Sequence, residues 1–163
     1  MRDTSSIGNK SEAIVLAALV HAGYWPLLPF GGGHPYDIGL DVGHKLLRVQ
    51  VKTGRLAKGA VVFPTAIMCR NHVYRSYRGD VDYFGVYCRA TGQVYFVPIT
   101  DVPDRAANLR VDPPRNGQTH GLRWAKDYVI WSVQSGKEPV VTNSEPVSDG
   151  GVTRDGLRLV RSE

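Results

Sequence analysis

The sequence predicts an α/β domain, a central β-sheet with a helix packed against it. Three stretches carry that expectation. Residues 9–22 repeat apolar side chains at helical spacing. Residues 36–53, Y-D-I-G-L-D-V-G-H-K-L-L-R-V-Q-V-K-T, read as two short strands joined by a turn at Val42-Gly43-His44. Residues 83–98 read as a second hairpin, rich in Val, Tyr and Phe, turning at Ala90-Thr91-Gly92.

The chain opens with residues 1–8, expected to be a loose leader. Asn9 or Ser11 then caps the first helix and Gly23 ends it. Val15, Leu16, Leu19 and Ala22 share one face of that helix. Glu12 lies one turn ahead on the same stripe. A carboxylate aimed at a core is costly unless it has a partner or a task. A first-turn position favoured by the helix dipole explains it equally well.

Residues 24–29 form an edge-like strand, because Pro26 and Pro29 cannot serve a sheet interior. Phe30-Gly31-Gly32-Gly33-His34 resembles a phosphate loop, but neither G-K-[ST] nor a helix follows it. In the second strand of the central hairpin, alternation sends Leu47, Val49 and Val51 to one face and Arg48, Gln50 and Lys52 to the other. The apolar row suits a buried sheet. The polar row, beside Asp37 on the neighbouring strand, suits a phosphate-cleaving site; a merely solvated face reads the same way.

Residues 53–59 are expected to be a basic connection and residues 60–63 a strand. Residues 69–78 interleave Arg70, Arg75 and Arg78 with Tyr74 and Tyr77. Either they contact phosphates and bases, or they form a solvated loop or short helix with its tyrosines in the core. Asp80 and Asp82 are turn residues. A short helix is expected near 101–107, a loop at 112–117, and a last helix or strand at 122–131 that packs Trp124, Tyr128 and Trp131. From residue 135 the composition shifts to Gly, Ser, Glu, Pro, Asp and Thr, so residues 135–163 read as a flexible tail and residues 1–134 as one domain.

The 163 residues are 42% hydrophobic and 21% charged, ordinary for a globular domain with a proper core. Lys+Arg outnumber Asp+Glu by 20 to 15, a net +5, which favours a polyanionic partner and nucleic acid first. Cys69 and Cys88 have no metal spacing and read as free thiols of a reducing cytoplasm. The longest apolar run, residues 13–20, is too short to span a bilayer, and no signal core opens the chain. The expectation is a soluble protein acting in a cytoplasm, with no membrane partner.

Taken together, Glu12 on the first helix, Asp37 opening one strand and Gln50-Val51-Lys52 on the next resemble the active-site pattern of the PD-(D/E)XK nuclease superfamily. Within it the chain is similar to the small branch that includes intron-encoded homing endonucleases. Gly8 and Glu12, Pro29-Phe30, Tyr36-Asp37, residues 48–53, residues 80–84 and Val97-Pro98-Ile99 follow that branch's motifs in order, over roughly residues 7–100. Archaeal Holliday-junction resolvases share the general arrangement. Position 50 is Gln where most members carry Asp or Glu, as in the homing branch. One negative charge is thereby lost, and Glu12 would compensate.

The resemblance implies a restriction-endonuclease-like fold, a mixed central sheet flanked by helices. It implies a metal-dependent DNA endonuclease, homing- or restriction-like and site-specific. A junction-resolving nuclease and a non-catalytic DNA-binding module are the alternatives, and RNA stays open as a substrate. Catalysis would fall to Glu12, Asp37, Gln50 and Lys52. Mg²⁺, with Mn²⁺ as a substitute, would be held by Asp37, the Gln50 side chain, the Val51 carbonyl and Glu12, directly or through water. Lys52 would stabilise the developing phosphorane charge and orient or help deprotonate the attacking water. Arg48, Arg55, Lys58, Arg70, Arg75 and Arg78 would contact double-stranded or branched DNA. Arg48 has a second option, pairing with a carboxylate. A homodimer or homotetramer is expected, with exposed apolar side chains of the second hairpin as an interface.

Overall fold

The computed structural model describes residues 4–69, 73–114, 117 and 120–132. Helix α1, Thr4–His21, begins well before the expected start at Asn9. Nothing in Thr4-Ser5-Ser6-Ile7-Gly8 breaks a helix, and one glycine costs only about 1 kcal/mol. Ser11 Oγ reaches back to the Ile7 carbonyl at 3.2 Å. The helix ends as expected. Gly23 takes φ +85°, and the Gly23 and Tyr24 N–H groups close onto the Val20 and Leu19 carbonyls. That paired closure is a Schellman motif, which needs a left-handed residue where Gly23 stands.

Strands β1 (Trp25–Leu27), β2 (Ile38–Asp41) and β3 (Leu46–Ala57) follow. β4 (Ala60–Pro64), β5 (Ala66–Met68) and β6 (Tyr74–Ser76) come next. β7 (Tyr83–Cys88) and β8 (Gln93–Pro98) are the second hairpin, with the expected bounds. The main sheet runs β1-β2-β3-β7-β8-β10, its last strand β10 being Val129–Ser132. β3 and β7 are parallel and the other pairs antiparallel, so the sheet is mixed.

Residues 53–59 are not a connection. β3 continues to Ala57, and Lys58 (φ +50°) with Gly59 (φ +69°) form the two-residue turn of a hairpin with β4. Two positive φ values in succession give the turn type whose twist suits a hairpin. The expected helix near 101–107 is replaced by a 3₁₀ turn, Ile99–Asp101, and by β9 (Ala106–Arg110). Ala107 and Leu109 alternate inward and β9 supplies the second neighbour of β4. Within residues 69–78, Tyr74–Ser76 form β6, which pairs with β5 in a two-stranded ribbon, and residues 70–72 lie outside the described residues. At 122–131 both expected elements occur, a 3₁₀ turn Ala125–Tyr128 and then β10 (Val129–Ser132). The proposed tail, 135–163, lies outside the described residues.

Two cores lie on opposite faces. Val15, Ala18 and Leu19 of α1 cover Ile38, Leu40, Leu47, Val49 and Val51. On the other face Phe84, Val86, Val97, Phe63 and Leu109 join Tyr77. The face of β3 bearing Gln50 and Lys52 therefore borders a second core. That core also takes up much of the second hairpin, whose Phe84, Val86, Tyr95 and Val97 are buried and present no apolar interface. Gly85 faces α1, where a Cβ would stand 2.5 Å from Val15 Cγ1. The helix sits this close to the sheet because that side chain is absent. Among the described residues, no helix is long and apolar enough to cross a membrane.

Candidate active site

The site forms where β2 parts from β3. Within β3, odd-numbered residues direct backbone groups toward β2 and even-numbered ones toward β7. Thus the Asp37 N–H donates to the Val49 carbonyl at 2.9 Å, and the Asp82 N–H to the Arg48 carbonyl at 2.8 Å. The β2–β3 register ends at Ile38 opposite Val49, and the Val51 N–H donates to the Asp37 side chain, to Oδ2 at 2.7 Å. The Val51 carbonyl points to the same side, past the start of β2, because both backbone groups of a strand residue face one neighbour. Gln50 Nε2 donates to the same Asp37 oxygen.

Burial pushes the Asp37 carboxyl up, and the Val51 N–H, the Lys52 charge and the Gln50 amide pull it back in part. Burial also raises Glu12, which α1 brings within electrostatic reach of Asp37; the Asp37 charge raises it further. Lys52 is lowered by burial and supported by Asp37. Its Nζ donates to the Tyr77 hydroxyl at 2.7 Å, and the 4.5 Å separation from the Tyr77 ring centre belongs to that same contact.

Glu12, Asp37, Gln50, the Val51 backbone and Lys52 thus converge, from a helix, a strand start and the next strand. The basic residues divide. Arg48 pairs with Asp82 through Nε at 3.2 Å and with the Gly79 carbonyl through Nη1 at 2.8 Å. Arg75 pairs with Asp80 at 2.7 Å. Arg78 binds Asp104 and the Val102 carbonyl. Arg55 and Lys58 stand exposed on the β3–β4 hairpin. Arg70 lies outside the described residues. A surface cavity of about 540 Å³ lined by Lys58, Gly59, Arg110 and Asp112 lies six residues along β3 from Lys52, some ~20 Å of extended strand away.

Tyr77 is the site neighbour that sequence reading did not single out. It stood among several tyrosines between arginines, and only its burial beside Lys52, at 5% exposure, separates it from them.

The sequence profile of the PD-(D/E)XK endonuclease family matches residues 2–131, and the chain belongs to that family. It is by family a nuclease, and its sheet and helix form the restriction-endonuclease-like α/β fold. Among solved structures it is similar to a bacterial homing endonuclease, I-Ssp6803I, at 22% identity and a TM-score of 0.62, over 78% of this chain and 88% of that one. No curated protein matches the chain.

Proposed function

We propose that this nuclease is a metal-dependent DNA endonuclease of the site-specific, homing- or restriction-like kind, with residues 1–134 as its domain. The observation that carries the reading is the convergence of two carboxylates, Asp37 and Glu12, both pushed up by burial, beside a lysine. Two half-buried carboxylates that repel one another and lie beside neutral oxygens suit a hard divalent cation. Asp37, Glu12, the Gln50 side-chain oxygen and the Val51 carbonyl fit that role. Among the described residues no group of three or more His, Cys, Asp or Glu is placed to bind a metal, so two of the four donors would be neutral. Mg²⁺, or Mn²⁺ in its place, would supply charge neutralisation at the phosphoryl oxygens and a more acidic water.

The chain's own groups then have distinct tasks. Asp37 and Glu12 provide negative charge, one from the start of β2 and the other from α1. Gln50 and the Val51 N–H hold the Asp37 carboxylate in one orientation. Lys52, half-buried and hydrogen-bonded, neutralises charge developing on the phosphate and orients the attacking water. Arg55 and Lys58 remain available for backbone phosphates. Cutting both strands takes two sites, so this reading implies a homodimer or homotetramer.

The test is nicking and linearisation of supercoiled plasmid and cleavage of a four-way junction, with Mg²⁺ and with EDTA. Wild type is run beside Asp37→Ala and Lys52→Ala. Mg²⁺-dependent cleavage abolished in both variants is the expected result, and a junction preference would turn the reading to a resolvase. Binding without cleavage would turn it to a non-catalytic module. Cleavage that persists in both variants would remove the site assignment.

A further inference from the structure

We infer that Tyr77 is a positioning residue for Lys52. Its phenol oxygen, held rigidly at the turn after β6, fixes the ammonium on the face of β3 that carries Gln50. The inference rests on the nuclease reading of the site.

A lysine side chain has four rotatable bonds and a strongly hydrated head, so by itself it does not hold a defined place. Here Nζ is held at 2.7 Å by the Tyr77 hydroxyl. No other hydrogen bond from Nζ is found among the described residues. The Asp37 carboxylate attracts Lys52, but its hydrogen bonds go to Gln50 and Val51. Asp37 therefore supplies charge and Tyr77 supplies place. Burial and the Asp37 charge keep the phenol protonated, so the acceptor is neutral and leaves the lysine's charge available.

Tyr77 is itself fixed on every side. Its ring meets Phe84 edge-on, at 5.6 Å and 87°. Its carbonyl accepts the Asp80 and Val81 N–H groups at 2.9 and 3.2 Å. Three arginines brace the same turn. Arg75 holds Asp80, Arg78 ties the turn to Asp104 and Val102, and Arg48 ties Asp82 and Gly79 to β3. Arg48 lies two residues before Gln50 and four before Lys52, so one strand carries the lysine and also anchors the turn that orients it.

Tyr77→Phe keeps the ring against Phe84 and removes only the acceptor. Misplacing a reacting group by about 1 Å costs on the order of 100-fold in rate. The expected result is a 10- to 100-fold fall in kcat, about as that displacement implies, with KM and melting temperature unchanged. A second readout is independent of cleavage. The Lys52 ammonium resonance in ¹H–¹⁵N spectra, assigned by its loss in Lys52→Arg, should shift or broaden in Tyr77→Phe. Wild-type kcat in Tyr77→Phe, or a fall that comes with an equal loss of melting temperature, would overturn the inference. If wild type cleaves nothing, the nuclease reading fails, and the resonance alone decides: a shift supports the contact and an unchanged signal overturns it.

Discussion

Gln50→Glu would place a second carboxylate where Gln50 Nε2 now donates to Asp37 Oδ2. It would put a carboxylate at position 50, and its cost can be worked from the contact. Two unit charges about 4 Å apart repel by about 4 kcal/mol at an effective dielectric near 20. The pair can escape by keeping one proton. Holding a carboxyl of ordinary pKa, about 4.3, protonated at pH 7 costs about 4 kcal/mol. The two routes bound the penalty at a similar value. A shared proton returns a hydrogen bond of about 1 kcal/mol, leaving roughly 2–3 kcal/mol. For a domain of this size that is a fall of roughly 10 °C in melting temperature.

The sign of its pH dependence is set by a folded-state pKa raised above the unfolded one. The penalty is absent below the unfolded value, grows as pH rises, and is complete above the folded value. Variant and wild type should therefore melt together near pH 4 and separate toward pH 8. Mg²⁺ should then narrow the gap, because it stabilises both proteins and a tenfold tighter Kd in the variant, which has one more anionic donor, adds about 1.4 kcal/mol at saturation. Differential scanning calorimetry across pH, with EDTA and with Mg²⁺, reads all of this. A gap that is independent of pH, or one that Mg²⁺ leaves untouched, would refute the claim that position 50 faces Asp37 and a cation.

Two further predictions concern the scaffold. Gly85→Ala would drive a Cβ to 2.5 Å from Val15 Cγ1, which neither helix nor sheet can yield without moving. Overpacking of this kind costs about 1–3 kcal/mol, and cleavage should fall with stability, because Glu12 rides on the displaced helix. Adding Val15→Ala should recover both, and a Gly85→Ala protein with an unchanged melting temperature would contradict the packing. Tyr128, whose hydroxyl donates to Asp101 Oδ2 at 2.9 Å, is pushed up to about 12 by burial first and by Asp101 second. A raised pKa means that its contribution is present below about 10 and fades as pH rises from about 10 to 12. Denaturant unfolding on either side of that window should show the loss in wild type and not in Tyr128→Phe.

Much of the frame depends on local rules. Period-two alternation in residues 46–52 separates Leu47, Val49 and Val51 from Arg48, Gln50 and Lys52, and the strand obeys it without exception. Gly23 ends α1 because a left-handed closure requires it. The second hairpin keeps its bounds because its β-branched and aromatic runs flank a turn signal. Motif order, with Glu12, Asp37, Gln50 and Lys52 in succession, was likewise legible along the chain. What local rules could not supply was partner choice across the sheet. The parallel pairing of β3 with β7 brings Arg48 to Asp82, 34 residues away, and Lys52 to Tyr77, 25 residues away. An arginine that neutralises a turn aspartate and one that waits for a phosphate look alike in sequence, because their difference lies in who stands within 3–4 Å or so. For the same reason a helix was expected near 101–107 where β4 takes a strand, Ala106–Arg110, as its neighbour, and Tyr77 was one tyrosine among several until burial placed its hydroxyl against the lysine.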